Sequence, residues 1–314
     1  MDKGRTRSGR TRGLLTPGVE SLEGRLLMAA NAARVGIREF VADGAVELRM
    51  VGTNRDDVVR IVDDGTGTAG NVRVTLGDGR TYTSKNAVSS ITVVGKKGND
   101  QVRYNLTGDL LSARTVTTTL GAGNDQFVAS IDHAVQTTQV LDLEAFGGAG
   151  DDHLSILQAG PVTAGTVFPY LQGDVGNDTL SYTAAGDVGA AATVGPGLMG
   201  NDGDDTIAID YVGNVLGQFL YSSTVDGGPG ADNLSARVAL GAASTGKVGT
   251  DTATTAFVQG GDGEDQIRFA VAVDPAATRA RVFATAAGGA GTDTVRRTSN
   301  VQGDPSTEHD AILT

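Results

Sequence analysis

The chain of 314 residues has no cysteine, no tryptophan and only 7 prolines, and aromatic residues make up just 4% of it. Without cysteine there is no disulfide framework, no thiolate metal site and no cysteine nucleophile. Absent tryptophan and sparse aromatics disfavour a sugar-stacking groove. No apolar run approaches ~18 residues, so no transmembrane helix is expected. Positive charge is also short: 25 Lys+Arg against 37 Asp+Glu give a net charge of −12. That balance argues against a nucleic-acid partner, because phosphate binding needs a basic face.

The shortage is uneven. Residues 1–39 hold 8 Lys/Arg and 4 acids, a net of +4. Between Arg114 and Arg237 there is no Lys or Arg, while those 122 residues contain 15 Asp+Glu. A long segment with only negative side chains repels itself. Either it is disordered or a cation from solution supplies the missing charge.

What the chain has in excess is glycine, 46 residues, and it is ordered into a repeat. A Gly-rich turn closing on Asp reads GKKGND at 95–100, LGAGND at 120–125 and GGAGDD at 147–152. It continues as GDVGND at 173–178, GNDGDD at 200–205, GGPGAD at 227–232, GGDGED at 260–265 and GGAGTD at 288–293. The closing Asp steps by 25, 27, 26, 27, 27, 33 and 28 residues. Two and four residues after each closing Asp the side chains are mostly apolar, as in Leu154/Ile156 and Ile207/Ile209, with polar or small residues between. Such period-2 alternation marks a strand with one buried face. Seven residues before the Asp another apolar position recurs: Val93, Ala145, Leu171, Leu198, Val225, Val258 and Ala286, with Thr118 the exception.

One such unit cannot bury its apolar side chains alone, but stacked units can. The expected fold is all-β: a right-handed parallel β-solenoid of about eight coils of ~26 residues, with modest aliphatic residues in a narrow bore. Each coil is expected to run strand, Gly-Asp turn, strand, then a looser return such as residues 159–165. The expected organisation is a disordered basic leader at 1–39, a capping hairpin and first coil at 40–94, the solenoid at 95–300 and a C-terminal tail at 301–314. The cap is the alternating pair 71–76 and 80–83 around Gly77-Asp78-Gly79. The 33-residue step suggests a loop bulging near 241–255.

The turns resemble the GGxGxDxUx nonapeptides of RTX-type (hemolysin-type) calcium-binding proteins, most closely at Gly147–Leu154. That resemblance covers roughly residues 95–297 and implies Ca²⁺ held between successive turns. The implied ligands are Asp100, Asp125, Asp152, Asp178, Asp205, Asp232, Asp265 and Asp293, with turn carbonyls at Gly123, Gly150, Gly176, Gly203, Gly230, Gly263 and Gly291. Ca²⁺ favours six to eight such oxygens at ~2.3–2.6 Å, and a divalent ion would offset repulsion along a stacked Asp row. The chain departs from the family's pattern in carrying one turn per coil, hence one row of ions. Lys96 and Lys97 lie inside the first good turn and compete for the cation's place. A second resemblance, residues 19–30 (VESLEGRLLMAA) to the Leu-Glu-Xaa-Arg-Xaa-Leu-Leu leader of bacterial secreted and surface proteins, implies an extracellular protein.

No enzyme motif competes well. Residues 65–70 match GxGxxG, but the residues that follow read as a strand where a dinucleotide site needs a helix. His153 lies beside Asp152 but at an outward-facing position, and His133 and His309 have no obvious partners. The leading expectation is a non-enzymatic, secreted or cell-surface calcium-binding module in an adhesive or matrix setting. Two alternatives stay open: a secreted β-helix enzyme acting on polysaccharide, such as a lyase, and a metal-free scaffold whose Asp residues only cap turns.

Overall fold

A computed structural model describes residues 34–136, 140–219, 225–249, 257–283 and 285–300. The leader resemblance at 19–30 and the tail at 301–314 lie outside them. Among the described residues every named element is a strand, and no helix is long and apolar enough to cross a membrane. The strands stack as a β-solenoid of about seven turns with ~27 residues per turn.

Two sheets form the walls. In the 11-stranded sheet, parallel pairing carries Gln126 to His153, then Thr179, Thr206, Asn233, Gln266 and Thr294. These steps reproduce the spacing of the closing Asp residues. The 14-stranded sheet faces it and forks after the 14-residue strand Val162–Val175. One half of that strand pairs with Val188–Val194 and the other with Gly197–Asp202. Pro196 separates those two strands; it has no N–H to give to a ladder, so the wall splits there into two columns. Of the expected loose return at 159–165, residues 159–161 are loop and 162–165 begin this long strand.

The bore is filled by the alternating residues. Leu154, Leu180, Ile207, Leu234 and Ile267 are in register as one buried stack. Across from it stand Val93, Ala145, Leu171, Leu198, Val225, Val258 and Ala286, all buried, and Thr118 is buried at the same level. The bore is less aliphatic than expected, because Tyr104, Phe127, Tyr182, Tyr211, Phe219 and Phe269 are also fully buried within it. Buried tyrosines need partners for their hydroxyls: Tyr182 donates to Gln158 Oε1 at 2.8 Å and Tyr211 to the Asn214 carbonyl at 3.1 Å.

Antiparallel hairpins finish the N-terminal end. Val72–Leu76 and Thr81–Thr83 pair as expected, and Val72, Val74 and Leu76 are buried against the first coil. A second hairpin, Gly36–Ala42 with Ala45–Val51, closes the other sheet. Its two-residue turn is Asp43-Gly44, both at positive φ (51° and 82°), which suits a hairpin turn. Residues 36–39, grouped with the leader on charge, therefore belong to the fold. Inside this end lies a fully buried ion pair: Arg114 Nε is 2.5 Å from Asp63 Oδ2, and Tyr104 donates to the same oxygen at 3.0 Å. The GxGxxG segment leads into Val72–Leu76, a strand. A Cβ on Gly67 would collide with Ser112, so packing between coils accounts for glycine there.

Candidate metal centre

Each Gly-Asp turn joins a strand of one sheet to a strand of the other, so the closing Asp residues fall on one edge of the solenoid. Asp100, Asp125, Asp152, Asp178, Asp205, Asp232 and Asp265 are all buried. Stacking turns them into a ladder that uses one oxygen each. The N–H of Asp152 donates to Asp178 Oδ1 at 2.7 Å, Asp178 to Asp205 at 2.7 Å and Asp205 to Asp232 at 2.8 Å. The same bond runs from Asp57 to Asp100, on to Asp125 and Asp152, and from Asp232 through Asp265 to Asp293. In each, the earlier coil donates and the later coil accepts.

The second oxygen of each carboxylate is different. Oδ2 of all seven buried Asp residues has no hydrogen-bond partner. A buried carboxylate oxygen without a partner is costly unless something supplies positive charge or a proton. Its surroundings hold another acceptor. The position a Cβ would take on Gly147 is crowded both by Asp152 Oδ2 and by the Gly173 carbonyl oxygen, 2.7 Å away. Gly200, Gly227 and Gly260 repeat the arrangement with Asp205, Asp232 and Asp265 and the carbonyl of the next coil. Two acceptors thus meet in a narrow space between coils.

Burial raises the carboxyls above their usual range, and neighbouring acids add to it. Asp100, Asp152 and Asp205 are pushed up to about 7, and Asp178 and Asp232 to about 6. Asp125 and Asp265 shift in the same direction for the same first cause. The hydrogen bond at Oδ1 opposes the rise but does not cancel it.

The glycines expected to supply carbonyl ligands share one backbone conformation. Gly123, Gly150, Gly176, Gly203, Gly230, Gly263 and Gly291 all have positive φ, between 126° and 157°. A Cβ on each would strike the carbonyl oxygen of the equivalent glycine one coil earlier. These carbonyls therefore point along the axis at the next glycine. The carbonyl that shares the empty Cβ position with Oδ2 belongs to the first glycine of the next turn. Lys96 and Lys97 are exposed, and Asp100 Oδ2 keeps no hydrogen-bond partner beside them. Asp293, half-exposed on the last turn, closes the ladder.

A second ladder escaped the sequence reading, although its signal was in the turns themselves. The residue before the closing Asp is often Asn or Asp, and these side chains stack too. Asn99 N–H donates to Asp56 Oδ1 at 2.8 Å, Asn124 to Asn99 at 3.0 Å and Asp151 to Asn124 at 3.2 Å. Asn177, Asp204 and Ala231 extend it. Here the later coil donates, so the two neighbouring ladders run in opposite senses.

Among the described residues no three acidic or histidine side chains converge on one point. Comparison of the chain with protein-family models, with curated proteins and with solved structures gives no match.

Proposed function

We propose that the protein is an extracellular, non-enzymatic structural module whose Gly-Asp edge takes up Ca²⁺ between coils. One observation carries the reading: seven stacked carboxylates with Oδ1 hydrogen-bonded and Oδ2 buried without a partner. Asp152, Asp178, Asp205 and Asp232 are the best ligands, because no Lys or Arg lies between 115 and 236. Gly173, Gly227 and Gly260 supply carbonyl oxygens from the next coil. Bound Ca²⁺ would supply charge neutralisation and a cross-link between turns. One carboxylate per coil with backbone donors suits the weak binding of extracellular modules, about 10⁻⁴–10⁻³ M. Such sites fill outside a cell and stay empty in a cytosol. The proposed location at a cell surface or in a matrix follows from this and from the leader resemblance at 19–30.

The unbroken Oδ1 ladder favours a second reading, a metal-free scaffold in which a proton sits on Oδ2 and reaches the facing carbonyl. Asp205→Asn separates the two. Asn keeps an oxygen for the Asp178 N–H and offers an amide donor to the facing carbonyl. Under the calcium reading, calorimetric titration of Asp205→Asn shows fewer or weaker ions than wild type. Under the scaffold reading wild type binds none at millimolar Ca²⁺ and the variant melts no lower.

A further inference from the structure

Most outward positions on the first coils of the 14-stranded sheet are small and polar. Thr92, Thr117 and Glu144 share one outward column, and Ser90, Thr115 and Asp142 share the next. One coil further on the pattern changes. Asp142 is in register with Phe168, and Glu144 with Tyr170. Phe146 faces out on the strand of the two carboxylates, and its ring centroid is 5.9 Å from that of Tyr170, tilted by 53°. Three of the chain's 14 Phe and Tyr residues thus gather on one outward face of two neighbouring coils.

A cross-strand aromatic pair stabilises a sheet by itself, which accounts for Phe146 with Tyr170. It does not account for Phe168, nor for a carboxylate set beside each ring of the second strand. All three rings are half-buried on the outer wall, and a cluster of large apolar groups outside the core is one mark of an interaction site.

We propose that this face binds a neutral, β-linked polysaccharide. A pyranose has a rim of hydroxyls and a face of C–H bonds. The rings of Phe146, Phe168 and Tyr170 suit the C–H face, while Asp142 and Glu144 accept from the rim. Glu144 is already oriented by Thr117, whose hydroxyl donates to Oε2 at 3.2 Å, and the Tyr170 hydroxyl is held by Gln172 Oε1 at 2.9 Å. Coils repeat every ~4.8 Å, close to the length of one sugar unit, so the two neighbouring coils that carry the rings offer contacts about one sugar apart to an extended chain lying along the axis. Charge selects the polymer: with no Lys or Arg from 115 to 236, nothing here neutralises a uronate or sulfate, and the carboxylates repel it.

The test uses the full chain in millimolar Ca²⁺ and again in chelator, which keeps this proposal separable from the ion. Affinity electrophoresis and calorimetry are run with a soluble cellulose derivative, a soluble mixed-linkage β-glucan and, as the anionic control, polygalacturonate. The expected result is binding to a neutral polymer and none to polygalacturonate. Tyr170→Thr should weaken it at least about tenfold, the loss of one stacked contact, with Ca²⁺ stoichiometry unchanged. Phe168→Thr should weaken it similarly, whereas an intrasheet pair alone predicts no effect there. Failure of wild type to bind either neutral polymer overturns the proposal. So does equal binding by Tyr170→Thr, or a dimer in sedimentation that Tyr170→Thr dissolves.

Discussion

Arg114 and Asp63 meet inside the bore with both side chains at 0% exposure, 51 residues apart in sequence. The bond ties the start of the second full coil to the end of the first strand under the cap. Arg114 also donates to the Val88 carbonyl, so three segments close on one guanidinium. Removing one partner of a buried pair leaves an uncompensated charge. Arg114→Leu should therefore lower stability by about 3–5 kcal/mol in urea unfolding. The double variant Asp63→Leu/Arg114→Leu should recover much of that loss, and equal destabilisation of single and double variants would rule this account out.

The ladder predicts how stability follows pH when Ca²⁺ is chelated. The folded carboxyls at Asp100, Asp152 and Asp205 sit near 7, against 3.8 for an ordinary Asp. The folded state then holds more protons than the unfolded one between these values. Stability must fall as pH rises from about 4 to 7. Chelated protein should melt higher at pH 5 than at pH 8, and millimolar Ca²⁺ should remove most of the difference. A melting temperature that rises across this range in chelator would contradict the raised carboxyls.

Glycine is required in the turn for two separable reasons, and two substitutions should show it. Gly150→Ala places a side chain at φ 126° and against the Gly123 carbonyl. Gly173→Ala keeps an ordinary φ but meets Asp178 Oδ2. Both should destabilise, by roughly 1–3 kcal/mol. Only Gly173→Ala should also reduce Ca²⁺ uptake, since only its carbonyl lies beside an unpartnered Oδ2.

Chelation itself should loosen the acidic middle before the ends. Amide exchange in Asp125–Asp232 is expected to speed up on Ca²⁺ removal, while Val59, Ile61 and Val74 near the hairpins stay protected. Uniform loss of protection over all coils would point to one cooperative unit.

The coil was legible in the sequence because its period-2 alternation and its glycines report the same geometry from two sides. Leu154, Leu180 and Ile207 alternate with polar residues, and each lies at the same distance from a closing Asp. The Asp43-Gly44 hairpin went unread, although a DG turn between alternating runs is its signal, because the basic charge before it placed residues 36–39 in the leader. The Arg114–Asp63 pair was not legible, because nothing local distinguishes a buried Arg from a solvated one. Nor was the gathering of Phe146, Phe168 and Tyr170, which depends on a register of 26 residues between coils. Composition had counted those aromatics as too sparse to matter. The division of labour between Oδ1 and Oδ2 is a matter of ångströms that no residue pattern carries.

Among the described residues the two hairpins lie at the N-terminal end of the solenoid. At the N-terminal end each sheet finishes in an antiparallel pair with a short local connection, Asp43-Gly44 on one side and Gly77-Asp78-Gly79 on the other. Closing such loops takes little chain entropy, while every later coil needs a parallel pairing across 25 or more residues and has no template until its predecessor exists. Assembly then has a direction, from the hairpins towards Thr294–Ser299, which is the order in which a chain leaves a ribosome. Each emerging coil finds a finished edge waiting for it, and the molecule zips in the direction of its own delivery.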